Sequence, residues 1–83
     1  MKNIDNGLKE LVLNYPFLKE AIELGIEEKT ISTSRIRHKF HIPYPNALKI
    51  INIMEKKGLV SEHDELFLRK VLITEEEFAQ LFI

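Results

Sequence analysis

The chain has 83 residues, 45% hydrophobic and 30% charged, with a formal net charge of −1 and no cysteine. At this length it forms one small domain that buries only about 60–65% of its unfolded surface, with the composition of a soluble globular protein rather than a disordered or fibrous one. Absence of thiols excludes disulfides and thiolate metal sites, no apolar run approaches the roughly 20 residues of a membrane span, and Asp5 and Glu10 sit where a signal peptide would be basic then apolar, so a cytoplasmic protein away from membranes is expected.

The first fifteen residues read as an N-terminal extension. Leu8, Leu11 and Val12 fall at i, i+3 and i+4, predicting a short helix capped by Asp5 or Asn6 and packed on the domain from outside. A clearer helix is predicted from Pro16, a residue favoured in a first turn, with Phe17, Ala21, Ile22 and Leu24 on one stripe and an end near 25–28 after Gly25. Ser32 is the expected N-cap of a helix through about Phe40, whose Ile36 and Phe40 point inward. Pro43 then breaks the chain, because it disfavours helical geometry at Ile42.

The next helix is predicted to carry Pro45 in its first turn and to run to about Lys57, with Gly58 as a left-handed C-cap. At 100° per residue, Ala47, Ile50, Ile51 and Met54 form its inner stripe, while Pro45, Lys49, Asn52 and Lys56 face the other way. "LVSE", the tip "HDE" and "LFLRKVLI" read as a β-hairpin. Thr74 and Glu77 form a capping box for a last helix burying Phe78, Leu81 and Phe82. The fold class expected is α+β, mainly α: a winged helix-turn-helix with a three-helix core, a two-stranded hairpin wing and an added helix at each terminus. Its parts are an extension over 1–15, the winged helix-turn-helix domain over 16–73 and a C-terminal helix over 74–83.

Charge is unevenly spread along this order. Residues 29–54 contain Lys29, Arg35, Arg37, Lys39 and Lys49 and no acid, a charge of +5, whereas the rest of the chain carries −6. Such polarity fits a polyanion footprint, or a solvated helix face on which basic residues happened to gather.

On "ISTSRIRHKFHIPYPNALKIINIMEKKGLVSE" and the following "RKVL", the sequence resembles the C-terminal gamma domain of the FtsK/SpoIIIE DNA translocases. The pattern lies over Pro16 to Leu72 without a gap. Its most specific features are Ser32, Ser34, Phe40, Ile42, Tyr44, Ala47, Ile50-Ile51, Met54-Glu55, Gly58-Leu59-Val60-Ser61 and Arg69-Lys70-Val71-Leu72. The resemblance implies a winged helix that binds short, oriented DNA sequences in the major groove and so directs a ring-shaped motor along the chromosome. No G-x-x-x-x-G-K-[ST] phosphate loop occurs here, so the chain is expected to be a fragment of a larger protein or a freestanding relative, without motor activity and not an enzyme.

The family's base-reading positions fall at 45, 49 and 52, typically Asn, Arg and Glu; this chain has Pro45, Lys49 and Asn52. Pro has no side-chain donor, Lys replaces a fork with one ammonium, and Asn favours adenine where a carboxylate would accept from cytosine. The DNA target is therefore expected to differ. Asn46 flanks the same face and joins Pro45, Lys49 and Asn52 as candidate base readers. Ser32, Thr33, Ser34 and Arg35 gather at a helix N-terminus that favours an anion. With Arg37, Lys39, His41 and Lys56 they are the candidate phosphate contacts, sequence-independent and weakened by salt.

His38, His41 and His63 lack the spacing of a metal site, no nucleophile has an evident base, and neither cofactor nor metal is expected. Against DNA binding stand Glu62, Asp64 and Glu65 at the wing tip, which repel phosphate. Leu66, Phe67 and Leu68 cannot all face the core, since strand neighbours point to opposite sides. Sequence-specific binding of double-stranded DNA, with the helix at about 44–57 in the major groove, is the leading expectation. The alternative is a protein-interaction or dimerisation module that never binds DNA, its homodimer or protein partner meeting the wing and C-terminal helix.

Overall fold

The computed structural model describes residues 7–64 and 67–82. The expected cap at Asp5 or Asn6, the whole of Glu65 and Leu66, and the side chain of Phe82 lie outside that description. The first helix, α1 (Leu8–Asn14), follows Gly7, whose φ of 79° lies in the left-handed region that glycine adopts without strain. Leu8 is fully buried and Val12 nearly so. Their i, i+4 spacing therefore places them within the core, and α1 is part of it rather than a helix laid on from outside.

The second helix, α2 (Leu18–Glu28), starts two residues later than Pro16 predicted, because Phe17 takes φ 67° and leaves the helical region. It runs through Gly25 and ends at Glu28, within the expected 25–28, with the left-handed Lys29 as C-cap, whose N–H donates to the Gly25 carbonyl at 2.7 Å. Gly25 serves a different end from termination. A Cβ there would stand 3.1 Å from Cγ2 of Val71, so the missing side chain lets the wing strand approach the helix.

A strand absent from the sequence prediction follows: β1 (Thr30–Ile31), too short for any alternation signal. It pairs antiparallel with β2 (Arg69–Lys70), Thr30 opposite Lys70 and Ile31 opposite Arg69. The wing hairpin is present on the other edge of β2, where Val60 bridges Val71, Ser61 N–H donates to Lys70 O at 2.9 Å and Leu72 N–H to Leu59 O at 2.8 Å. The predicted strand "LFLRKVLI" contracts to Arg69–Lys70 and the bridge residue Val71, because Phe67 takes φ 62° and interrupts extended geometry.

Helix α3 (Thr33–Phe40) begins at Ser32 as expected, the Ser32 hydroxyl accepting from Arg35 N–H at 3.0 Å. His41, left-handed at φ 55°, turns the chain, and Pro43 caps α4 (Tyr44–Lys56). That helix ends in the arrangement glycine favours. Gly58 at φ 76° donates to Glu55 O at 3.0 Å, Leu59 N–H donates to Met54 O at 2.8 Å, and Leu59 is buried behind the turn. Helix α5 (Glu75–Ala79) carries the predicted capping box, Thr74 N–H donating to Glu77 Oε1 at 3.0 Å and Glu77 N–H to Thr74 Oγ1 at 3.1 Å. A 3-10 turn (Gln80–Phe82) closes the described chain. One hydrophobic cluster runs from Leu8 through Ile22, Ile36, Ile51 and Met54 to Phe78 and Leu81, giving the α+β winged-helix architecture a single core.

Candidate nucleic-acid interface

The apolar periodicity of α4 decides which of its faces meets solvent. Ala47, Ile50, Ile51 and Met54 are buried; Pro45, Asn46, Lys49, Asn52 and Lys56 are exposed. At 100° per residue Pro45, Lys49, Asn52 and Lys56 lie within about 60° of each other, so four side chains share one strip directly opposite the core. No carboxylate lies on that strip. Pro45 costs nothing in hydrogen bonding at this place, since its missing N–H falls in a first turn where no helical acceptor exists.

The strip has two borders. On one flank Glu55 reaches the wing, where it accepts from Nη1 of Arg69. On the other, Asn46 and Ile50 line a small cleft with Tyr15, Pro16, Phe17 and Ile42. The structure thus brings Pro45, Lys49, Asn52 and Lys56 together and sets Asn46 apart, at the edge nearest the segment before α2.

Apart from Lys56, which lies on the α4 strip, the candidate phosphate contacts form a separate group on α3 and its two caps. Ser32 and Thr33 are half-buried, and the Ser32 hydroxyl is engaged in its cap; Ser34 is exposed. Arg35 is held by Glu28: Nε donates to Oε1 at 2.9 Å and Oε2 at 3.2 Å, and Nη2 to Oε2 at 2.6 Å. Hydrogen bonding from Arg35 pulls the Glu28 carboxyl below its ordinary range and, reciprocally, lifts the guanidinium above its own. Arg37, Lys39 and His41 project into solvent.

Sequence reasoning missed the role of Arg69. Among the described residues it is the buried charged one, 7% exposed, and its Nη1 donates both to Glu55 and, at 3.2 Å, to the Ser61 carbonyl. The available signal was an arginine directly after an apolar run, with a glutamate in the preceding helix; spacing alone could not pair them. At the wing tip Glu62, His63 and Asp64 are exposed, and Asp64 Oδ1 accepts from Leu68 N–H at 3.0 Å. Phe67 is 69% exposed and packs on His63 with ring centroids 5.2 Å apart. The expected outward apolar side chain of the wing is therefore Phe67, joined by the partly exposed Leu68 and Leu72. Among the described residues, no helix is long and apolar enough to cross a membrane.

Comparison with known proteins places this chain among DNA translocase sequences. The sequence profile described as "Ftsk gamma domain" matches residues 14–74. The chain is 34% identical over 62 residues to the DNA translocase SpoIIIE of Bacillus subtilis, a match covering 75% of this chain and 8% of that protein. It is 40% identical over 55 residues to the DNA translocase SftA of the same organism, covering 66% and 6%. To the DNA translocase FtsK of Caldanaerobacter subterraneus it is 30% identical over 80 residues, covering 96% and 10%. The chain thus spans about a tenth or less of the length of these relatives.

Proposed function

This chain belongs to the Ftsk gamma domain family, and from that membership we propose that it binds double-stranded DNA in a sequence-specific manner, α4 entering the major groove. It acts in the cytoplasm as a binding module with no motor or other enzymatic chemistry of its own. The observation that carries the proposal is the acid-free exposed strip of Pro45, Lys49 and Asn52, backed by the buried stripe of Ala47, Ile50, Ile51 and Met54. In this role Lys49 donates to guanine O6 or N7 and Asn52 pairs with adenine, each worth about 1–3 kcal/mol of discrimination. Pro45 supplies shape without a donor, and Asn46 reaches a base edge from the flank. Ser32, Thr33, Ser34, Arg35, Arg37, Lys39, His41 and Lys56 supply phosphate contacts.

Selection from random duplexes, followed by binding at several salt concentrations, tests this function. Lys49→Ala should change the preferred sequence, whereas Arg35→Ala should weaken all sequences alike and reduce the salt slope by about one. No binding to any duplex at low salt would reject the proposal. A second reading has its own support in the wing: Phe67, Leu68 and Leu72 are exposed beside Glu62 and Asp64, a surface suited to a protein partner or a second copy. Sedimentation of the free chain at rising concentration distinguishes a dimer from a monomer.

A further inference from the structure

We infer that the cleft lined by Tyr15, Pro16, Phe17, Ile42, Asn46 and Ile50 is a subsite for the 5-methyl group of a thymine in the bound duplex, with Phe17 its specificity-determining residue. The inference rests on the DNA-binding function proposed above and adds a reader from outside the helix-turn-helix.

The cleft is small, about 140 Å³, and mostly apolar, with Pro16, Phe17, Ile42 and Ile50 beside the more polar Tyr15 and Asn46. Asn46 ties it to the groove-facing side of α4, since this residue stands at the edge of the strip carrying Lys49 and Asn52. In the major groove thymine presents O4 and a methyl group, and the methyl is read by apolar contact, phenylalanine included. An amide that pairs with a base edge beside an apolar wall that takes a methyl is a combination able to tell thymine from cytosine at one position.

Phe17 is built to hold its place. Its backbone sits at φ 67°, a conformation that strains a bulky residue and persists where the surroundings over-determine it. Its ring packs on Phe40 at a centroid separation of 5.4 Å and a tilt of 31°, yet 41% of the residue stays exposed. One side of the ring is thus anchored to the end of α3, and the remainder is offered to whatever lies beside the start of α4.

Deoxyuridine removes the thymine methyl and leaves the base pair intact, so replacing each thymine of the selected duplex in turn is the test. One position should lose about four-fold in affinity with the unaltered protein, the cost of one unburied methyl. Phe17→Ala should make that position indifferent to the replacement while leaving the effect of Lys49→Ala unchanged. Phe17→Asn, which suits a left-handed backbone and so keeps the fold, should do the same. A duplex bound with clear sequence preference but with no thymine sensitive to the replacement would overturn this inference alone. So would sensitivity that persists in both Phe17 variants. Absence of any sequence preference would remove the parent function and this subsite together.

Discussion

The guanidinium of Arg69 donates to the Glu55 carboxylate and to the Ser61 carbonyl, and so fastens the strand returning from the wing to the last turn of α4. The partners are unequally buried, the Arg69 side chain 8% exposed and that of Glu55 39%. Removing the carboxylate strands a buried cation, whereas removing the guanidinium leaves an acid that water can reach. Glu55→Ala should therefore destabilise the protein by about 2 kcal/mol and Arg69→Met by about 1 kcal/mol or less. Denaturant unfolding of the two variants measures both, and the opposite ranking would show that packing of the Arg69 stem outweighs its charge.

Gly25 faces a second close contact. Alanine is favoured over glycine inside a helix by about 1 kcal/mol, but here its Cβ would lie 3.1 Å from Cγ2 of Val71, a β-branched side chain with little freedom to turn aside. Overpacking costs about 1–3 kcal/mol, so Gly25→Ala should be destabilising by about 1 kcal/mol. In a Val71→Ala background the same change should become stabilising. Thermal unfolding of the four proteins in this cycle supplies the check.

Phe67 pays a backbone cost without burial to offset it. At φ 62° and 69% exposed, it occupies a conformation that asparagine adopts more easily. Phe67→Asn should raise stability by about 0.5–1 kcal/mol despite losing the contact with His63. A fall in the denaturation midpoint would assign that ring contact more weight than its exposure allows.

Glu28 provides a pH test. Because Arg35 lowers its folded pKa, the pair's contribution to stability is fully present above the ordinary glutamate range near 4.3 and is lost as pH falls through the lower folded value. Carboxyl-carbon NMR should find Glu28 titrating below the ordinary glutamate range, and Arg35→Ala should raise it. Under the proposed phosphate role of Arg35, DNA phosphate competes with Glu28 for its guanidinium, so Glu28→Gln should strengthen binding up to several-fold. That gain should vanish in Arg35→Ala; an equal gain in both backgrounds would mean that Glu28 acts only through long-range charge.

Much of this architecture was legible because the strongest signals are local. Ser32, Gly58 and the Thr74–Glu77 box each mark a helix end through hydrogen bonds to residues within one turn, and the stripe of Ala47, Ile50, Ile51 and Met54 fixes the inward face of α4 by periodicity. What escaped depends on distant partners. Thr30 and Ile31 form a strand only because Arg69 and Lys70 arrive beside them, and Gly25 reads as a helix stop until Val71 is seen against it. The late start of α2 and the short β2 both follow from left-handed residues, Phe17 and Phe67, that no propensity scale would place there. For the interface, exposure of Pro45, Lys49 and Asn52 follows from helical phase alone, whereas the Glu28 grip on Arg35 joins two elements across a turn and had no local sign.

Thr30 and Lys70 are neighbours across the sheet, yet α3, α4 and most of the wing lie on the chain between them. The helix-turn-helix thus hangs inside a closed ring of backbone. Its own contacts are local in sequence, while closing the ring carries the entropic cost of a long loop. The amide of Val71, donating to Lys29 O at 3.1 Å, sits at the clasp. Its exchange with deuterium should consequently track release of the ring as a unit, making one proton a gauge of whether α3 and α4 are held in register.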